Sequence, residues 1–342
     1  MNNRILDEDV QLFAEQFELW EQLKGKAFLI TGATGLIGSV MVKCLQALNS
    51  YRNLGIKIFM AVRDVEKAKK IISGNPKGIE IVKIDLMTLT SENLPKEINY
   101  VVHLASPTNG KYIDSHPVET FNLAYQSTKN LLAEAGNYDA FLYVSSLEYY
   151  GQVLDDRLIT EDTHGYINPN VARNAYPLGK RAAEFLCFLY AEEFGASAKI
   201  ARLTQTFGPG ISKDENRVFA QFVRSIVKGE DIVLHTQGTS SKPYCYTTDC
   251  ISALLYILLR GQKGQAYNVA NESTYISIRN MAEYLKQNFN PKISVQVELN
   301  DNMGYAPVTM LRLSSEKLRN LGWRPRYGLK EMFERLIGYL NE

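Results

Sequence analysis

Ala27-Phe28-Leu29-Ile30-Thr31 is a short apolar run that leads straight into Gly32-Ala33-Thr34-Gly35-Leu36-Ile37-Gly38. So short an apolar run before a glycine turn reads as a strand buried on both faces. Glycines at a spacing of three, just after a strand and opening a helix, leave few folds available. Gly32 makes the tight turn, Gly35 lets backbone amides approach a pyrophosphate, and Gly38 lets the helix pack close to the strand. The other reading is a structural turn, but the strand, the helix and the chemistry downstream agree on a dinucleotide. The turn therefore predicts a nicotinamide dinucleotide across a βαβ unit, held through Gly32, Thr34, Gly35, Leu36, Ile37 and Gly38.

The chain then alternates. Further strands are expected at Lys57 to Val62, Ile79 to Ile84, Tyr100 to Leu104, Phe141 to Ser145 and Ala198 to Leu203. Helices are expected at Ser39 to Ala47, Val65 to Ile72, Val118 to Ala135 and Ala175 to Phe194. Apolar strands alternating with helices imply an α/β fold with a doubly wound parallel Rossmann sheet. After Thr204 the texture changes. Thr206 to Gly210 reads as a turn and Gly238 to Tyr244 as a polar loop, with a helix from Val218 to Lys228 and a strand from Ile232 to His235. Helix Asp249 to Leu259 and strand Gln265 to Val269 read as a return to the sheet. The expected organisation is an N-terminal helical extension (1–24), a dinucleotide-binding domain (25–205 plus 246–270) and a smaller C-terminal substrate-binding lobe (206–245 plus 271–342). In the extension, Val10, Phe13, Phe17 and Trp20 recur at helical spacing, with Asp7, Glu8 and Asp9 placed at the helix start. Its apolar face predicts packing on the main domain or on a partner subunit.

A formal net charge of +1 supplies no global field for nucleic acid or an anionic membrane. Cys44, Cys187, Cys245 and Cys250 form no CxxC pair and read as buried free thiols in a reducing compartment. No stretch reaches the roughly 18 apolar residues of a membrane span. Met1 to Leu23 lacks the basic and apolar regions of a signal peptide. The expectation is a cytoplasmic protein with no metal site.

Strand ends select the cofactor. An acid after the second strand bonds the ribose hydroxyls of NAD, whereas an arginine favours the extra phosphate of NADP. This chain offers both, as Arg63 and Asp64, so NAD is expected with NADP left open. Asp64 also suits the N-cap of the helix that follows. Asp85 and Leu86 end the third strand, where an acid can meet the adenine amino group. Leu104, Ala105 and Ser106 end the fourth, beside the path of the dinucleotide.

Tyr176 and Lys180 form a YxxxK pair at a helix start, and a spacing of four puts both on one face. Lysine is expected to lower the tyrosine pKa, so that the phenolate takes a proton from a hydroxyl as a hydride leaves the same carbon. The pair counts among the cofactor contacts as well. Ser146, at the end of the fifth strand, can bond and orient the reacting oxygen. Glu148 lies two residues on and reads as an acid-base group, against a cap or surface carboxylate.

The glycine turn, Ser146, Tyr150-Gly151 and the YxxxK helix resemble the extended short-chain dehydrogenase/reductases that act on nucleotide sugars, over about Lys26 to Leu336. Within that group the chain is most similar to UDP-glucuronate decarboxylases. The segments that carry this are His103-Leu104-Ala105-Ser106-Pro107, His116-Pro117-Val118 with Asn122, Arg173-Asn174-Ala175-Tyr176, Gly179-Lys180-Arg181 and Asn216-Arg217-Val218. Glu148 fits too. Leu147 stands where the 4,6-dehydratases carry an aspartate. Gln205 and Lys242 depart from the family's asparagine and arginine at places that face substrate, and a lysine lacks the arginine fork. The resemblance implies a 4-keto intermediate, with Pro107, Arg173, Gln205, Arg217 and Lys242 as substrate contacts. It also implies a homodimer built on the helices Val118 to Ala135 and Ala175 to Phe194. An epimerase, dehydratase or 4-keto reductase, or a non-catalytic dinucleotide sensor, are the competing readings.

Overall fold

The computed structural model describes residues 3–72, 76–153, 156–300 and 308–342, so the first two residues of the N-terminal extension lie outside it. The helices are α1 (Arg4–Gln16), α2 (Leu36–Arg52), α3 (Val65–Ile71), α4 (Gly110–Ser115), α5 (Pro117–Glu134), α6 (Ala175–Glu193), α7 (Val218–Lys228), α8 (Thr247–Arg260), α9 (Ile278–Phe289), α10 (Glu316–Arg319) and α11 (Leu329–Asn341). The strands are β1 (Ala27–Thr31), β2 (Lys57–Val62), β3 (Ile79–Lys83), β4 (Tyr100–His103), β5 (Ala140–Ser146), β6 (Leu158–Ile159), β7 (Ala198–Leu203), β8 (Gln205–Phe207), β9 (Ile232–Leu234), β10 (Ser241–Tyr246), β11 (Ala266–Val269), β12 (Asn271–Ser277), β13 (Val295–Val297) and β14 (Arg312–Leu313).

Seven strands form one sheet in the order β11-β7-β5-β4-β1-β2-β3. Every neighbouring pair is parallel. β1, β4 and β7 are buried along their whole length, so their sequences are mostly apolar, although β4 also buries His103 and β7 buries Lys199 and Arg202. The strands of this sheet match the sequence reading to within a residue at each end, and β11 does return to its edge. The strand order reverses between β1 and β4, where such a sheet opens a crevice at its carboxyl edge. Helix α8 is buried on nearly every side, packed on β5, β7 and α2.

Two expectations are corrected beyond the sheet. Gly238 to Tyr244 is not simply a loop, because β10 begins at Ser241. Likewise, the expected turn at Thr206 opens as strand β8 before Gly208. β10 pairs parallel with β8 and antiparallel with β12. Pro243 hid the strand: it lacks an N–H and sits where the register shifts between Lys242 and Tyr244. Phe207, Phe219, Tyr244 and Phe333 anchor a second apolar core around this small sheet.

The N-terminal helix packs against α2, α8 and α11. It starts earlier than expected, with Asn3 as N-cap accepting from the Leu6 amide at 3.1 Å. Asp9 is therefore not a helix-start charge. It is buried, accepts a hydrogen bond from the Tyr246 hydroxyl and pairs with Arg335. Trp20 falls in a separate 3₁₀ turn, Trp20–Leu23. All four cysteines are buried and free. Among the described residues no helix is long and apolar enough to cross a membrane.

Candidate active site

The crevice is shaped first by the ends of β1 and β4. The Thr31 hydroxyl oxygen accepts from the Leu104 and Ala105 amides, at 3.1 and 3.2 Å, and meets His103 Nδ1 at 2.7 Å. With both acceptances made, the Thr31 proton goes to Nδ1, and Nε2–H donates to Ser127 Oγ at 3.0 Å. Burial, with Lys180 nearby, pushes His103 down to about 3, so the imidazole is a neutral clip between the two strand ends.

The glycine turn closes against this clip. Gly32 has φ +64, and a Cβ there would lie 2.7 Å from the Leu104 carbonyl carbon. A Cβ on Gly38 would come 2.3 Å from Gly32 O. Gly35 is exposed, and a Cβ there would meet nothing nearer than Gly32 O at 3.4 Å. Among the described residues no side chain caps α2, so its first amides are left to donate to an anion at the turn. Ser106 Oγ is buried and turned toward the Tyr176 phenol, with no hydrogen-bond partner of ordinary length among the described residues. An open turn, an uncapped long helix and an orphan hydroxyl together fit a dinucleotide pyrophosphate and its neighbours.

The outer cofactor candidates divide. Asp64 is engaged as the N-cap of α3, accepting from the Lys67 amide at 2.9 Å, while Arg63 is exposed beside it. Leu86 is buried, and exposed Asp85 accepts from the Met87 amide at 3.0 Å. Next to that loop lies an open cavity of about 410 Å³ lined by Met87, His116, Pro117, Val118, Glu119 and Asn122.

At the carboxyl end of β5 the chain turns into a short 3₁₀ helix, Leu147–Tyr150, whose Glu148 amide donates to Ser146 Oγ at 3.2 Å. Tyr176 and Lys180, both buried, rise beside it from the first turns of α6. Gly179 allows this, because a Cβ there would lie 3.1 Å from Ala124 Cβ on α5. Lys180 Nζ donates to the Val144 carbonyl at 2.9 Å and stands 4.9 Å from the Tyr143 ring centre and 5.7 Å from that of Tyr176. The expected lowering of the tyrosine is reversed. Burial pushes the Tyr176 phenol up to about 12 and Glu148 adds to the rise, while the hydroxyls of Ser146 and Ser106, and Arg173, pull it back. Phenolate is thus the minor form at neutral pH. Burial also pushes Lys180 down to about 8, against the pull of Glu184 and Glu148.

Glu148 is neither a cap nor a lone surface carboxylate. Arg173 grips it at 3.2 and 3.3 Å and lies 3.6 Å from Asp114 as well. Lys242 makes no hydrogen bond or ion pair among the described residues; burial lowers it and the Glu148 charge holds it up. Ser106, Ser146, Glu148, Arg173, Tyr176, Lys180 and Lys242 are thereby brought together. Arg217 is not part of this group: it pairs with Glu215 at 2.6 Å and lies over Phe219. Gln205 is half-buried beside Tyr244, and Pro107 is half-buried after Ser106. The sequence reading missed the buried pair Glu184–Arg202. Its one signal was the spacing of four between Lys180 and Glu184.

The chain is similar to known proteins over most of its length. A family described as the NAD dependent epimerase/dehydratase family matches residues 28–270. UDP-glucuronic acid decarboxylase 6 of Arabidopsis thaliana is 30% identical over 89% of this chain and 85% of its own. UDP-glucuronic acid decarboxylase 1 of Xenopus tropicalis is 26% identical over 93% of this chain and 72% of its own. Among solved structures, UDP-glucose 4-epimerase of Thermotoga maritima superposes with a TM-score of 0.78 at 17% identity, covering 92% of this chain and 98% of that one. The dTDP-glucose 4,6-dehydratase DesIV of Streptomyces venezuelae, with NAD bound, gives 0.74 at 20% identity, covering 92% and 97%. RMD of Pseudomonas aeruginosa, with NADPH, gives 0.69 at 22%, covering 93% and 100%. At these identities the structures speak for the fold.

Proposed function

The chain belongs to the NAD-dependent epimerase/dehydratase family, and from that premise we propose that it is a nucleotide-sugar decarboxylase acting on UDP-glucuronate through a 4-keto intermediate. The observation that supports this reading is the meeting of Glu148, Arg173 and Lys242 beside Tyr176. Two cations suit an anionic sugar, and a carboxylate at the same spot can return a proton after carbon dioxide leaves.

When bound, the dinucleotide supplies a hydride acceptor that later gives the hydride back. Gly32, Gly35 and the first amides of α2 would hold its pyrophosphate, and Ser106, Tyr176 and Lys180 would face its reactive end. Ser146 Oγ bonds the sugar 4-hydroxyl and orients it. Tyr176 Oη, as phenolate, takes that hydroxyl's proton; the Ser146 and Ser106 hydroxyls favour this form. In a glucuronate the resulting ketone is β to the carboxylate, so the C–C bond breaks with its electrons held as an enolate. Arg173 and Lys242 position the carboxylate. The proton that replaces it at the enolate carbon comes from solvent, relayed by the Glu148 carboxylate or by a water that Glu148 orients. Tyr176 Oη finally returns its proton to the 4-oxygen.

Incubation with a panel of UDP, dTDP, GDP and CDP sugars, followed by mass spectrometry, checks the reading. Carbon dioxide lost from UDP-glucuronate is the expected result; loss of water from a hexose, or inversion without mass change, defeats it. The cofactor is read as NAD, with Arg63 leaving NADP open.

The helices α5 and α6 pack on one another and leave apolar groups outside. On α6, Phe185 is 59% exposed, Phe188 41% and Leu189 37%, and the two phenylalanine rings lie 6.3 Å apart. Such a patch marks an interface, and we assign it to a two-fold homodimer. Sedimentation is expected to show a dimer that the Phe185→Asp, Phe188→Asp variant splits. A parent protein that sediments as a 38.7 kDa monomer overturns the assignment.

A further inference from the structure

Behind the catalytic tyrosine lies a buried charge pair that the reaction above does not use. Glu184 follows Lys180 by one helical turn on the same face of α6, and both are buried. Arg202, on β7, donates to the Glu184 carboxylate from Nη2 at 2.8 Å and from Nε at 3.0 Å. Further bonds hold Arg202 in place. Its Nη1 donates to the Tyr150 hydroxyl at 3.0 Å and to the Glu161 carbonyl at 2.7 Å, and its guanidinium stacks 3.5 Å from the Tyr149 ring centre. Tyr150 in turn donates to Asn268 on β11 at 2.6 Å. One guanidinium thus ties α6, β7, β11 and the 3₁₀ turn that carries Glu148.

Lys180 has few other means of keeping its charge. Its Nζ donates to a neutral carbonyl, Val144 O, and is flanked by the rings of Tyr143 and Tyr176. The neutral imidazole of His103 approaches from β4. Of the carboxylates that face it, Glu148 lies across the open site and is shared with Arg173 and Lys242. Glu184 is the one walled in with it. A buried ammonium without a counter-charge sheds its proton.

We propose that Glu184 is a positioning residue for proton transfer, a counter-ion, held by Arg202, that keeps the Lys180 ammonium charged and in place beside Tyr176. The proposal adds to the decarboxylase reading and rests on its assignment of Tyr176 and Lys180.

The test reads the lysine itself. Protein labelled with carbon-13 at lysine Cε is titrated by NMR, with the Lys180 resonance identified by its loss in Lys180→Met. In Glu184→Gln the Lys180 midpoint is expected to fall by about one pH unit, tenfold in proton affinity. Glu184→Asp, which keeps the charge, is expected to restore most of it. Because Glu184→Gln leaves Arg202 buried and unpaired, the Glu184→Gln, Arg202→Met double variant is titrated too and is expected to show the same fall. A Lys180 midpoint unchanged in the Gln variants overturns the proposal. The alkaline limb of kcat/KM for UDP-glucuronate is expected to move with the midpoint. A parent protein that leaves UDP-glucuronate untouched would sink the decarboxylase reading, while the lysine titration still decides the role of Glu184.

Discussion

Tyr176→Phe is expected to lower kcat by about 10³-fold, a barrier increase of roughly 4 kcal/mol, with KM and the thermal midpoint little changed. The change removes one oxygen and keeps the ring on which Lys180 rests. The phenol is held among Ser146, Ser106 and Glu148, and the one phenol coupled to it among the described residues, Tyr143, is sealed from water with its own pKa pushed up by burial. Glu148 faces the same space, but its carboxylate is tied to Arg173. A loss in kcat at constant KM marks an interaction made in the transition state. Steady-state turnover of UDP-glucuronate, read beside thermal denaturation, settles the matter: a variant as fast as its parent means that another group takes the proton.

The second large effect belongs to the glycine turn, and it separates two glycines that look alike in the sequence. Gly38→Ala puts a methyl 2.3 Å from Gly32 O and 2.8 Å from Ala33 Cα, and neither backbone atom can turn away as a side chain would. The turn and the start of α2 must shift. The expected result is a protein destabilised by about 1–3 kcal/mol, as overpacked interiors are, with dinucleotide affinity at least 10²-fold weaker. Gly35→Ala meets only Gly32 O at 3.4 Å, so its fold is expected to survive. Its methyl instead occupies the open side where the backbone receives a pyrophosphate, so binding is again lost. Calorimetric titration with NAD and thermal unfolding distinguish the two. If Gly35→Ala binds as tightly as the parent, the turn is not the pyrophosphate site.

Much of this was legible in the chain itself, and its limits have physical causes. The sheet strands could be read because burial on both faces favours short, mostly apolar runs, of which β1 is the clearest. The small sheet could not, since β10 carries Pro243 and polar neighbours and is a strand only because β8 and β12 supply its partners. Asp9 looked like a helix-start charge, and became a buried acid because Tyr246 and Arg335 arrive from the far end of the chain.

The same division runs through the site. Ser146, Tyr176 and Lys180 were found from spacing, because a strand end and one helix face are local geometry. So was the glycine turn, whose three positions each do a different steric task. The sequence by itself therefore determined the α/β fold, and local spacing alone set the glycine turn at the first helix and Tyr176 and Lys180 on one face of α6. What only the tertiary structure decided is electrostatic. It drew Arg173 onto Glu148, gave Arg217 to Glu215, left Lys242 facing the cluster and set Glu184 with Arg202 behind Lys180. Burial likewise raised the Tyr176 phenol, where the YxxxK spacing alone pointed downward. Charge pairing and desolvation depend on which surfaces the fold brings together and which it seals from water, and residues far apart in the chain carry no record of that in their order.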